Sequence, residues 1–281
     1  MTDVKLPGAP FPGDPTRTFG YEWRVLRALM RSELSLQYED AALGYVWALL
    51  KPMATFTVLY VVFDRILRFG RSIPHFPLYL LLGVVIWTFF VGATTAAMVS
   101  VVGRGGMLRR IAISPFVIPL SSTLSAATTF LISLIPIAVF IAANGITPAF
   151  KWLLIIPLLL ELYLLVVAFS LVLSALYVRF RDTRQLWEIL SGLLFYLTPI
   201  VYPISVVPLW AQKIMLLNPL AQNIQDIRGL ILYRNRGQIV TIRDVFHQIP
   251  PRLAPWGLTL LLLAASAVYF VRRQHAFAEQ V

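Results

Sequence analysis

LYLLLGVVIWTFFVGATTAAMVSVV, from Leu78 to Val102, runs without one charged side chain. About 20 apolar residues in a helix cover the ~30 Å hydrocarbon layer of a bilayer. A helix is the expected form, because lipid offers no partner for backbone N–H and C=O groups. Barrel strands would need short segments of alternating polarity, and this run is continuous and too long.

The rest of the chain agrees. Of its 281 residues 58% are apolar and 13% charged, with a mean hydropathy of +0.76. Water-soluble domains sit near ~45–50% apolar and ~25% charged, so the excess faces lipid. Five further segments, near 46–67, 116–143, 152–178, 186–207 and 254–271, meet the same test of length. The expectation is an all-α integral membrane protein of six transmembrane helices. It forms one membrane domain over 21–281 behind a loose, proline-rich tail at 1–20. Pro52, Pro136, Pro157 and Pro199 fall inside spans, where each frees a carbonyl that a neighbouring helix must satisfy. The tail has no apolar core of the secretory kind, so the first span is expected to direct insertion.

YEWRVLRALMRSELSLQYEDAALG, 21–44, is amphipathic. Val25, Leu26, Leu29, Leu36 and Leu43 form one face, with Arg24, Arg27 and Arg31 on the other, the pattern of a helix lying in the membrane interface. Lysine and arginine set the orientation. Lys5, Arg17, Arg24, Arg27, Arg31 and Lys51 precede or open span one. Arg104, Arg109 and Arg110 follow span two, Arg179, Arg181 and Arg184 follow span four, and Arg272 and Arg273 end span six. These outnumber the cations on the other side, and both termini are placed in the cytoplasm. The net charge of +11 suits anionic headgroups; no motif points to nucleic acid.

Enzymatic chemistry finds little support. No GxxxxGK[ST] cradle, HExxH or GxSxG occurs, His75, His247 and His275 are scattered, and cysteine is absent. The serines and threonines of the third span suit close helix packing in lipid. Glu161, Glu188 and the pair Asp64 and Arg65 should face protein or water.

Three pieces in order, LGYVWALLKP (43–52), RFRDTRQLWEILSGLLFYLTPIVYP (179–203) and LNPLAQNIQDIRGLI (217–231), resemble type-2 ATP-binding-cassette exporter permeases, in particular the polysaccharide branch. That resemblance covers the chain from about Tyr21. It implies a permease paired with a second copy of itself and with two copies of a separate ATPase that carries the ATP and magnesium, with no cofactor on this chain. The cargo implied is a polyprenyl-diphosphate-linked glycan crossing a bacterial plasma membrane. By helical spacing Tyr38, Tyr45, Phe56, Tyr60 and Phe63 share a face. The resemblance makes this face, with Phe195 and Tyr196, a lining for the glycan channel, although ordinary helix packing serves the same pattern. Arg24, Arg27 and Arg31 are the candidates for the diphosphate head group.

GRGGMLRRIAISP, 103–115, is a basic connection that the resemblance makes the coupling helix, with Arg104, Met107, Leu108, Arg109, Arg110 and Ile111 facing the ATPase. Short external gate helices are expected between spans five and six, hinged at Thr198, Pro199, Tyr202 and Pro203, where two prolines four residues apart favour a bent or re-entrant segment. Two other readings stay open: export of a drug or small lipid, which needs no aromatic track, and a membrane-embedded transferase of polyprenyl-linked sugars, which would act without an ATPase.

Overall fold

The computed structural model describes residues 19–38, 44, 46–68, 70, 73–110, 114–232, 253–274 and 277. They form ten α-helices: α1 (Phe19–Tyr38), α2 (Val46–Tyr60), α3 (Phe76–Gly103), α4 (Gly105–Arg110), α5 (Val117–Ala143), α6 (Ile155–Arg179), α7 (Thr183–Leu197), α8 (Leu209–Leu216), α9 (Pro219–Ile231) and α10 (Leu253–Arg273). A π-helical turn, Val61–Ile66, prolongs α2, and a 3-10 turn, Phe150–Leu154, leads into α6.

The uncharged run becomes α3, the post around which the others stand. It packs chiefly on α5 and α6, and α10 packs on α6. Its most apolar window is 78% buried, against 17% in α5, which therefore has a large face for lipid or another chain. One core runs along α3 from Phe76 to Met98; a second gathers Tyr21, Val25, Leu26 and Leu29 of α1 with Val101, Val117, Val178, Phe270 and Phe277. The last turns of α3, α6 and α10 and the first turn of α5 thus meet at the end of the bundle that α1 covers.

Among the described residues, five helical segments are long and apolar enough to cross a membrane: 46–66, 76–103, 117–143, 150–179 and 253–273. The fifth expected span, 186–207, is not one helix. α7 stops at Leu197 and Thr198 is extended, with φ −93° and ψ 135°. Pro199 forces this, since a proline disfavours helical angles in the residue before it. The chain then turns at Pro203 and continues as α8 and α9.

Local chemistry explains the other boundaries. Gly44 turns the chain into α2 with φ +46°, which costs glycine little. Pro52, inside α2, leaves Ala48 O without its amide donor, and Ser133 Oγ of α5 donates to that carbonyl at 3.2 Å. The hydroxyls of Ser121, Thr123, Thr128 and Thr129 are satisfied by carbonyls of their own helix, three or four residues back.

Asn218 caps α9, its Oδ1 accepting from Leu220 N at 3.0 Å, with Pro219 at the first helical position. Asn218→Ala is expected to cost about 1 kcal/mol, read as a lower melting temperature of the purified protein. An unchanged melt would show that the cap contributes nothing.

Candidate functional site

Two polar constructions and one cleft stand out. The first construction holds the break after α7. Arg228, on α9, is fully buried. It donates from Nη1 to Pro199 O at 2.6 Å, from Nη2 to Ile200 O at 2.7 Å and from Nε to Tyr79 O at 3.1 Å. Its guanidinium also lies 3.5 Å from the centre of the Tyr79 ring. Tyr79 Oη donates to Tyr202 O and Tyr202 Oη to Tyr196 O, at 3.0 and 2.9 Å. A break in the chain inside a membrane protein leaves carbonyls that must find donors, and here one cation supplies Pro199 and Ile200 and ties them to Tyr79 O of α3. Gly83 makes room, since a Cβ there would meet Arg228 Nη2.

The second construction is at the α1 end. Glu33 on α1 forms an ion pair with Arg104, and Ser122 Oγ donates to the same carboxylate at 2.7 Å. Arg104 Nη1 donates in turn to Ser121 Oγ at 3.3 Å.

Beside this pair a cleft of about 730 Å³ opens between α1, α2, α3 and α5. Glu33, Gln37, Lys51 and Arg104 give it a polar end, and Val85, Phe89 and Phe130 line its apolar part. Small residues, among them Gly92, Ala93, Ala96, Ser125 and Ala126, keep the walls apart.

The expected site residues are spread over these features. Arg24, Arg27 and Arg31 are all exposed on α1, with Arg27 over the Trp23 ring at 5.6 Å. Phe56 is buried; it stacks on Tyr60 at 5.7 Å and meets Phe140 of α5 edge-on at 5.7 Å. Tyr60 and Phe63 pack against the same core. These three bind α2 to its neighbours, and the aromatic residues on the cleft wall are Trp47, Phe89 and Phe130. Phe195 packs on Trp87, whereas Tyr196 is 70% exposed. Thr198 and Pro199 are buried and Tyr202 and Pro203 half-buried, so all four stand at the break.

In the proposed coupling segment, Arg104 turns inward to Glu33 and Met107 packs on the α1 core. Leu108, Arg109 and Arg110 belong to α4, though their side chains, like that of Tyr38 on α1, fall outside the description. Tyr45 and Ile111 lie outside the described residues.

Sequence reasoning assigned no role to Glu33 or Arg228. The signals were an acid beyond the arginines of α1 and a lone arginine within IQDIRGLI.

Residues 24–232 match the family model described as ABC-2 type transporter. The chain is 26% identical over 264 residues to the O-antigen export system permease protein RfbA of Myxococcus xanthus, covering 93% of this chain and 97% of that one. It is 28% identical to the RfbA protein of Klebsiella pneumoniae over 214 residues, 76% of this chain and 82% of that one. It is 24% identical to the polysialic acid transport protein KpsM of Escherichia coli over 217 residues, 74% of this chain and 81% of the other.

Proposed function

The chain belongs to the ABC-2 type transporter family, and from that premise we propose that it is the transmembrane subunit of an exporter for a polyprenyl-diphosphate-linked polysaccharide. One observation carries the reading: a similarity spanning almost the whole of this chain and of an O-antigen export permease. The polysialic acid transport protein is a second relative whose named cargo is a glycan. ATP is hydrolysed on two copies of a separate subunit, and a second copy of this chain completes the pathway.

Several features support the details. α6 ends and α10 begins at opposite ends of the bundle, since the last turns of both lie in the α1 core. α7 and the break supply one more crossing, carrying the chain from the end of α6 to Tyr79 at the start of α3. We read this as the sixth passage, with both termini on the cytoplasmic side and α8 and α9 as external gate helices. Leu186, Ile189, Leu190, Leu193 and Leu197 form an exposed apolar stripe on α7, which suits a second copy. Tyr196 beside that stripe is well placed to line a seam between copies. The exposed arginines of α1 attract a diphosphate by charge, more strongly near lipid than in water.

The test is purification of the tagged chain from its native membrane, with ATP hydrolysis measured with and without polyprenyl-diphosphate glycan. A stoichiometric ATPase subunit that the glycan stimulates is the expected result. Neutralising Arg24, Arg27 and Arg31 together should raise the glycan concentration needed by at least about tenfold, because one charge-assisted contact is worth about 1.5–3 kcal/mol and 1.4 kcal/mol is tenfold. A chain that purifies alone, inert to ATP and glycan, would overturn the reading.

A further inference from the structure

We propose that Glu33 and Arg104 clasp the interfacial helix α1 to the turn between α3 and α4, so that α1 and the coupling segment move as one body. Glu33 is then a positioning residue for transport. This deepens the function proposed above and rests on it in one respect: that α4 is where the ATPase pushes.

Arg104 occupies a junction. It is the C-cap residue of α3, its N–H donating to Ser100 O at 3.1 Å, and its own carbonyl accepts from Met107 N of α4 at 3.0 Å. One residue therefore ends a span and begins the coupling helix. Its side chain leaves that junction in two directions, to Glu33 of α1 and to Ser121 of α5. Ser122 completes the ring by donating to Glu33. Three helices and a turn meet through four side chains.

The clasp adds what the apolar contact beneath it lacks. Tyr21, Val25, Leu26 and Leu29 hold α1 to the ends of α3, α5, α6 and α10. That adhesion is non-directional and lets a helix slide or roll. A carboxylate shared by a guanidinium and a hydroxyl fixes position and rotation at one point. Both charged side chains are about one-fifth exposed, 20% for Arg104 and 18% for Glu33, so water screens the pair less than an open surface pair.

The geometry also assigns the two faces of α1. At about 100° per residue, Glu33 lies about 180° around the helix from Arg24. The face that carries Arg24, Arg27 and Arg31 points outward while Glu33 points to the coupling turn. Motion received at α4 reaches the arginine face through the clasp. Without it, the ATPase still hydrolyses ATP, and α1 no longer follows.

The experiment uses the full complex in proteoliposomes. The chain has no cysteine of its own, so Leu36→Cys on exposed α1 and Gly106→Cys, at an open position of α4, take spin labels cleanly. One protomer per dimer carries both labels. The distance between them is measured without nucleotide and with ATP trapped, in four backgrounds: native, Glu33→Gln, Arg104→Gln and the charge swap Glu33→Arg with Arg104→Glu. Glycan exported per ATP hydrolysed is recorded alongside.

The expected result is a native distance unchanged between nucleotide states. Each single variant should show a broadened distance that changes with nucleotide, together with at least a fivefold fall in glycan per ATP. The swap should restore both. Retention of the native distance and the native glycan-per-ATP ratio in Glu33→Gln overturns the clasp, as does a swap that restores neither. If a single variant does not assemble, the swap decides alone, recovery supporting the clasp and continued loss ending it. A native complex that hydrolyses ATP but moves no glycan would instead sink the functional reading, while the label distances would still decide whether α1 and α4 travel together.

Discussion

Arg228→Met is expected to lower stability by about 3–5 kcal/mol and to abolish export. Removing the guanidinium leaves the carbonyls of Pro199 and Ile200 without the side-chain donor each has now and takes a second donor from Tyr79 O, which lies inside α3. An orphaned buried acceptor costs about 1–3 kcal/mol, and the two at the break supply most of the total. The stacking on Tyr79 is lost as well. A melting temperature lower by about 10 °C in detergent is the readout, at about 2–4 °C per kcal/mol for a chain of this size. Arg228→Lys keeps the charge but has no planar fork to reach three carbonyls at once, so it should recover only a minor part. A methionine variant that melts within about 2 °C of the parent, on the same scale, would show that the break after α7 holds itself.

The break also shows where sequence reading succeeds and where it stops. Apolarity continues from α7 through Val207, and a window of hydropathy sees one span there. Pro199 and Pro203 nonetheless mark the place where the helix ends, because proline acts on the backbone of its immediate neighbours and leaves a local signature. Arg228 leaves none. Its partners are carbonyls 28, 29 and 149 residues away, and a carbonyl looks the same in every residue. Phe56 is a similar case. Periodicity places it on a face with Tyr60, but only the tertiary fold brings Phe140 against it. The amphipathic pattern of α1, by contrast, separates the buried Val25, Leu26 and Leu29 from the exposed arginines with no help from distant residues, but Leu36, expected on the same apolar face, is 74% exposed because no described helix packs over that turn.

Gly83→Ala should carry the next largest effect, and with a sign opposite to that of the same exchange nine residues along the helix. An alanine Cβ at 83 falls on Arg228 Nη2, with Ile200 Cγ2 at 3.1 Å and Arg228 Cζ at 3.4 Å. The end of an arginine usually yields to such a neighbour. This one is held by three carbonyls and a ring, so the methyl group displaces the network, at a cost of about 1–3 kcal/mol. Gly92, on the same helix, has nothing within 4 Å of an added Cβ. Gly92→Ala should be stabilising by about 0.5–1 kcal/mol, the usual gain of alanine over glycine in a helix. Thermal melts of the two variants test the contrast. Combining Gly83→Ala with Arg228→Met tests its cause, because the alanine should then add little to the loss. Equal effects at 83 and 92 would refute the steric account.

The hydroxyl groups of α5 have a mechanical consequence. Most turn back on their own helix, and near its start Ser121 and Ser122 join Arg104 and Glu33. At mid-length Ser133 binds Ala48 of α2. α5 is thus a lever with its fulcrum at Ser122 and with α2 attached partway along its arm. From Ser122 to Ala143 the arm is about 31 Å long at 1.5 Å per residue. A tilt of about 5° at the fulcrum swings its far end by about 3 Å, close to the width of a water molecule, and draws α2 along by roughly half as much.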